Sequence, residues 1–239
     1  MDNRLLYGIF DPDVLDAQLD EWGMRIHCRE PDALGYATTL TPAIIGQAKA
    51  NQLDLLVTHH DAWDFLLEER STSLELLEQY QISHVWCHAP LDAADFGTSA
   101  ALLAALGCKP VGTIAGGDGR VGELAGPVAL ADIIQSLERQ LQEAPCRIVA
   151  ADRPVRRIAC VTGAGASINY LTEALTCAAD LYITGETNLY LLEYASFRKV
   201  NLLVYSHNYT EMPGTRNLAE RIAARLGIKN VLRLDEPHY

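Results

Sequence analysis

His59, His60, His88, Asp92, His207 and Glu211 are the residues through which this chain can do chemistry on a small ligand. They come in three pairs, and each pair follows an apolar run that reads as a strand: 53–58, 82–87 and 201–205. Imidazole and carboxylate donors together suit zinc, iron, manganese or nickel, and the lack of thiolates among them argues against a closed structural zinc site. The set is larger than one ion needs. It points to two divalent ions bridged by a carboxylate and water, typically ~3.5–4 Å apart, an arrangement that generates hydroxide at neutral pH and clamps a hydrolytic transition state.

Each pair also has a plainer reading. Adjacent side chains on a strand point to opposite faces, so His59 and His60 reach one pocket only if the chain leaves the sheet there; otherwise one imidazole is packed and the other solvated. Asp92 is equally suited to the start of a helix, a role compatible with ligation. His207 and Glu211 would share one face of a helix, but Pro213 is more naturally a first helical residue, so the segment before it is expected to be a turn. Glu186 follows the strand 181–184 as a candidate general base or a simple first-turn acid. Gly163 and Gly165 lie between a strand and a helix, where they would either offer N–H groups to a phosphate or allow close helix–sheet packing.

The elements that must position these residues alternate. Asp11 and Pro12 open a helix with an apolar stripe at Val14, Leu15, Leu19 and Trp22, ending at Gly23. Strand 36–40, helix 42–50, strand 53–58, short helices at 61–69 and 73–79, strand 82–87 and helix 92–106 follow. A glycine-rich stretch at 114–126 reads as a turn or hairpin between two halves. Beyond it come helix 128–143, strands 147–150 and 158–162, helix 167–178, strand 181–184, helix 189–197, strand 201–205, helix 213–226 and strand 230–234. The fold class is α/β, two domains with mostly parallel sheets covered by helices. The expected division gives 1–126, carrying His59, His60 and Asp92, and 127–239, carrying His207 and Glu211, with interleaving of the two allowed.

Composition narrows the function. With 239 residues, 49% hydrophobic and 21% charged, the chain has ample core material for an ordinary globular protein. A net charge of -12 argues against a nucleic-acid-binding surface, which needs clustered Lys and Arg. No apolar run approaches the ~20 residues of a membrane span and residues 1–9 lack a signal-peptide pattern, so the expectation is a cytoplasmic protein. The six cysteines form no CxxC pair and are expected as buried free thiols.

The order of motifs resembles the Nif-three-like dinuclear-metal family, whose members are labelled GTP cyclohydrolase I type 2 homologs. The matching pieces are THH at 58–60, HAPLD at 88–92, GDGRVGEL at 117–124, GAG at 163–165, DLYITGE at 180–186 and HNYTE at 207–211. The resemblance implies a dinuclear site in the cleft between two α/β domains, and a ring-shaped homohexamer. It maps the ligands onto His59, His60, Asp92, His207 and Glu211, with Glu211 as the bridge, while His88 belongs to the motif without being secured as a ligand.

The surroundings depart from the family's pattern. Asp61 stands where proline usually follows the paired histidines, Thr39 where an Asp is usual, and the histidine that often follows the GE motif is absent from 187–191. Two functions follow from different classes. One is a metal-dependent hydrolase on a nucleotide or related heterocycle, with iron, zinc or manganese as cofactor and His88 or Glu186 shuttling protons. The other is a non-hydrolytic metal protein that binds or delivers iron in cofactor assembly.

Overall fold

The computed structural model describes residues 4–28 and 30–238. Its helices and strands, in chain order, begin with α1 (Arg4–Tyr7), α2 (Pro12–Asp16), β1 (Trp22–Arg25), β2 (Ala33–Thr39), α3 (Pro42–Ala50), β3 (Leu55–His60), α4 (Glu69–Tyr80), β4 (Ser83–Cys87) and α5 (Ala89–Ala93). They continue with α6 (Thr98–Ala105), β5 (Lys109–Ile114), β6 (Gly119–Val128), α7 (Leu130–Leu141), β7 (Arg147–Val149), β8 (Val155–Val161) and α8 (Ile168–Thr176). The last are β9 (Leu181–Thr184), α9 (Leu189–Arg198), β10 (Asn201–Val204), α10 (His207–Leu226) and β11 (Asn230–Arg233).

Packing divides the chain into two compact units. The first runs to Phe96 and regains Thr215–Pro237; the second is Gly97–Gly214 with His238. The boundary expected at 126/127 falls inside β6, a strand of the second unit. The second change of unit falls inside α10.

The first unit is built on a five-stranded sheet in the order β1-β4-β3-β2-β11. Its strands pair in parallel except at β1, which runs antiparallel to β4 and places Trp22 beside Cys87. One side of the sheet is closed by α3 and α4, with Ile44, Ile45, Ala48 and Leu77 against Ala37 and Leu56. Thr41 caps α3 by accepting from the Ile44 N–H, and Pro42 sits in its first turn, as the sequence suggests.

The second unit has a six-stranded sheet in the order β5-β6-β8-β9-β10-β7. Only β8, β9 and β10 are parallel; the β5–β6 hairpin, its pairing with β8, and β7 on β10 are antiparallel, so this sheet is more mixed than the strand–helix alternation implies. Strand alternation sends Ile158, Cys160, Leu181, Ile183 and Leu203 to one face against α6 and α7. The intervening Ala159, Val161, Tyr182, Leu202 and Val204 pack on the other face with α8 and α9.

Several boundaries move for identifiable reasons. Asp11 does cap α2, but the helix stops at Asp16 and Trp22 enters the sheet, its indole donating to the Leu15 carbonyl at 2.9 Å. Leu19, which a longer helix would bury, is 63% exposed. Pairing of β1 with β4 overrides the helical period. The two helices expected at 61–69 and 73–79 are one helix, α4, preceded by a loop, and 92–106 is split into α5 and α6 where the chain changes unit. Among the described residues the cysteines are all unpaired by disulfides, with Cys87 and Cys160 buried and Cys146 exposed.

A buried polar chain fixes the end of β3. Arg25 Nη1 donates to His84 Nδ1 (3.1 Å), His84 Nε2 donates to Thr58 Oγ1 (2.8 Å), and Thr58 donates to the His60 carbonyl (2.7 Å). Arg25 itself is held by both carboxylate oxygens of Asp61, at 2.6 and 2.7 Å. Burial depresses the His84 pKa most, the neighbouring Asp61 opposes this and Arg25 adds to it, leaving it near 3 against the ordinary 6.5. The unfolded chain therefore takes up a proton below about pH 6.5 that the folded chain refuses until about pH 3. Stability contributed by neutral His84 is fully present above pH 6.5 and falls as the pH drops through that window, by ~1.4 kcal/mol per pH unit for one proton. Urea denaturation of wild type and His84→Gln at pH 7, 5.5 and 4.5 is expected to show the shallower decline in the variant; parallel declines would count against this assignment.

Candidate metal centre

The first unit brings four of the expected residues together. Strand β3 does not leave the sheet before its histidines: His59 and His60 are its last two residues, 0% and 5% exposed. Their rings nonetheless lie 4.6 Å apart between centroids, because the strand ends there and neighbouring groups turn both rings. His59 Nδ1 donates to the Cys87 carbonyl at the end of β4 (2.9 Å), and His60 Nδ1 lies 3.0 Å from Thr39 Oγ1 at the end of β2.

His88 follows β4, with its ring 4.8 Å from that of His59 and 5.3 Å from that of His60. His59, His60 and His88 each offer a ring nitrogen, all within 4.8 Å of one another. Asp92, on the one-and-a-half-turn α5, places Oδ2 3.5 Å from His59 Nε2.

The second unit holds the other residues. The turn expected before Pro213 is instead the start of α10, which runs from His207 through Pro213. An interior proline costs a helix about 3 kcal/mol, so packing around these first turns outweighs the local preference. The helix puts His207 and Glu211 on one face, with His207 Nε2 3.3 Å from Glu211 Oε1. Glu211 is 4% exposed near the positive end of the helix, a favourable place for an acid.

Glu186, after β9, accepts from His207 Nδ1 at 2.7 Å. Burial works against a charge on His207, but Glu211 and then Glu186 outweigh it and raise its pKa to about 9. The negative field that favours this proton is the field a cation would experience.

Two glycines make room for this pair. Gly163 has φ +59°, and a Cβ there would run into Glu211 Oε1 and come within 2.9 Å of His207 Nε2. At Gly185 a Cβ would meet the His207 Cα at 2.7 Å and the Gly163 carbonyl at 2.8 Å. The Gly163 N–H donates to Thr210 Oγ1 (2.9 Å), which in turn donates to the His207 carbonyl (2.7 Å). Of the two readings left open for the GAG segment, close packing accounts for Gly163.

The donor chemistry fits a divalent cation. His59 and His207 each donate through Nδ1 to an oxygen that can only accept, which leaves Nε2 as the nitrogen able to bind a metal, the usual support for a metal-bound histidine; His88 is oriented in the same way by Glu21. A histidine nitrogen and a carboxylate oxygen bound tetrahedrally at ~2.1 Å lie ~3.4 Å apart. The 3.5 Å of His59–Asp92 and the 3.3 Å of His207–Glu211 match that spacing.

Sequence reading missed the supporting groups. Glu21, from the turn before β1, accepts from His88 Nδ1 at 2.5 Å, and its place there depends on the β1–β4 pairing. Glu236 accepts from the Thr38 and Thr39 N–H groups at 2.7 and 2.9 Å, from almost 200 residues away in sequence. No local spacing signals either contact. Asp61 lies next to the histidines, yet its carboxylate is held by Arg25 and by Arg70 (3.0 Å).

A family model described as Duf34/NIF3 (NGG1p interacting factor 3) matches residues 5–235. A GTP cyclohydrolase 1 type 2 homolog of Pseudomonas aeruginosa is 27% identical over 203 residues, covering 81% of this chain and 79% of its own. The protein of the same name from Archaeoglobus fulgidus is 29% identical over 213 residues, covering 87% and 85%. Among solved structures, protein ybgI, described as of unknown function, aligns with a TM-score of 0.83 at 24% identity, covering 99% of both chains. TTHA1606 from Thermus thermophilus aligns at 0.81 and 24%, again over 99% of both. At such identity the structures establish a common fold; with the family model spanning nearly all of its length, the chain belongs to the Duf34/NIF3 family.

Proposed function

We propose that this chain binds two divalent metal ions through His59, His60, Asp92, His207 and Glu211, and acts as a metal-dependent hydrolase on a nucleotide or related heterocycle. The observation that carries the reading is the pairing of imidazole Nε2 with a carboxylate at 3.5 Å in one unit and 3.3 Å in the other, each imidazole fixed from behind through Nδ1. The name shared by its relatives, GTP cyclohydrolase 1 type 2 homolog, supports the choice of substrate class. The ions, when bound, would supply Lewis acidity and a nucleophilic water at neutral pH. Iron, zinc and manganese all suit these donors.

The chain's own groups take the remaining roles. Glu211 bridges. His88, 47% exposed in its side chain and anchored at Nδ1 by Glu21, moves protons at Nε2. Glu186 holds the Nδ1 proton of His207 and so orients that ligand, with its own exposed carboxylate available to accept a proton. A homohexamer, as the family resemblance implies, and a cytoplasmic location, as the sequence pattern suggests, complete the proposal. No helix among the described residues is long and apolar enough to cross a membrane.

A second reading, a metal protein that binds or delivers iron without turnover, is favoured by the state of Asp61 and Thr39. Asp61 is neutralised by two arginines and Thr39 offers His60 a neutral hydroxyl, so neither supplies a further free base beside the donors.

Three outcomes test these readings. Protein purified anaerobically is expected to carry about two ions per chain by elemental analysis, and His60→Ala and Glu211→Gln to lose at least one each; a chain that takes up no iron, manganese or zinc would sink both readings. Gly163→Ala, which forces a Cβ against Glu211 and a residue with φ +59°, is expected to weaken metal retention at least tenfold while costing ~1–2 kcal/mol of stability in denaturant titration. Metal-loaded wild type is expected to turn over GTP or a related nucleotide, with activity down by at least ~100-fold in His60→Ala; full metal content with no turnover, and iron passed to an acceptor protein, would select the second reading.

A further inference from the structure

Trp63 and Phe65 continue the ring contacts of the first unit's donor set out to solvent. The Trp63 ring lies 5.4 Å from that of His60, and Phe65 stacks on Trp63 at 5.7 Å with only 18° between planes. Phe65 is nevertheless 76% exposed. Burying such a side chain would stabilise a fold, so its exposure beside a candidate donor set is a cost the fold itself does not explain.

The segment is tethered. Arg70 donates to Asp61 Oδ2 (3.0 Å) and to the Ala62 carbonyl (2.8 Å), and pairs with Asp64 Oδ1 (2.8 Å). Asp61 is fixed further by Arg25, and Ala62 is buried in the core beneath α3 and α4. The aromatic pair is thus presented by a clamped segment, with His60 at its inner end.

We propose that Trp63 and Phe65 form a stacking platform for the planar heteroaromatic ring of the ligand served by the metal centre. The proposal rests on the reading of a heterocycle-processing centre and names the residues that recognise the ring. A flat ring needs only an exposed π-face, and stacking on aromatic side chains tolerates different bases. A second copy of the chain is the less suitable occupant, because the segment that carries the pair also carries the charged Asp61, Asp64, Glu68, Glu69 and Arg70, and charged residues are depleted at interface cores.

The test is calorimetric titration of the metal-loaded full chain with GTP, pterin and inorganic triphosphate, with metal content measured on the same samples. Trp63→Ala and Phe65→Ala are each expected to weaken GTP and pterin by roughly five- to 150-fold, the equivalent of ~1–3 kcal/mol of stacking per ring, with Trp63→Phe within about twofold of wild type. Triphosphate affinity is expected to be unchanged throughout. Equal affinities for the heterocycles in wild type and both alanine variants would overturn the platform, as would equal losses for triphosphate, or no heterocycle binding by a chain that holds its metal. A smaller oligomer in Phe65→Ala with heterocycle affinity intact would assign the pair to contact between copies instead. A wild-type chain without metal overturns the function proposed above, while heterocycle binding on that same protein still decides the platform.

Discussion

An imidazole keeps one orientation only if its second nitrogen is held, and the arrangement of both sets of candidate donors follows from that requirement. The Cys87 carbonyl fixes His59, Thr39 lies against His60, Glu21 fixes His88 and Glu186 fixes His207. Each partner sits on an element other than that of the histidine it serves. The sheets are therefore part of the donor chemistry: β2 and β4 flank β3 so that Thr39 and the Cys87 carbonyl come level with its last two residues. The same logic explains why the polar chain from Arg25 through His84 to Thr58 stays fully bonded, since an unsatisfied member would cost more than the chain contributes.

Space is the second constraint. His207 and Glu211 lie so close to the loop after β8 and the turn after β9 that only glycine fits at 163 and 185. Thr210 ties that loop to the first turn of α10, so the helix start, the loop and the side chains of His207 and Glu211 form one packed assembly. This packing also accounts for a helix that runs through Pro213 rather than beginning at it.

The departures from the family's pattern have physical consequences that differ from place to place. Asp61 anchors Arg25 and Arg70, and Arg70 also holds the Ala62 carbonyl, which ties down the segment that carries Trp63. Thr39 presents a neutral hydroxyl to His60.

The sequence by itself marked the candidate donors, because His, Asp and Glu shortly after apolar runs are local signals. It also determined the caps at Asp11 and Thr41 and most of the strand–helix alternation, which rest on contacts within a few residues. Tertiary structure decided what depends on distant partners. Pairing with β4 turned Trp22 from a helical stripe into a strand, and thereby delivered Glu21 to His88. The core pulled His59 and His60 into β3, against the expectation that the chain leaves the sheet before them. Close packing against Gly163 and Gly185 carried α10 back to His207, giving His207 and Glu211 the shared helical face that Pro213 argued against. Local propensity is worth a kcal/mol or so per residue, whereas each of these outcomes joins many buried contacts, and the larger sum prevails.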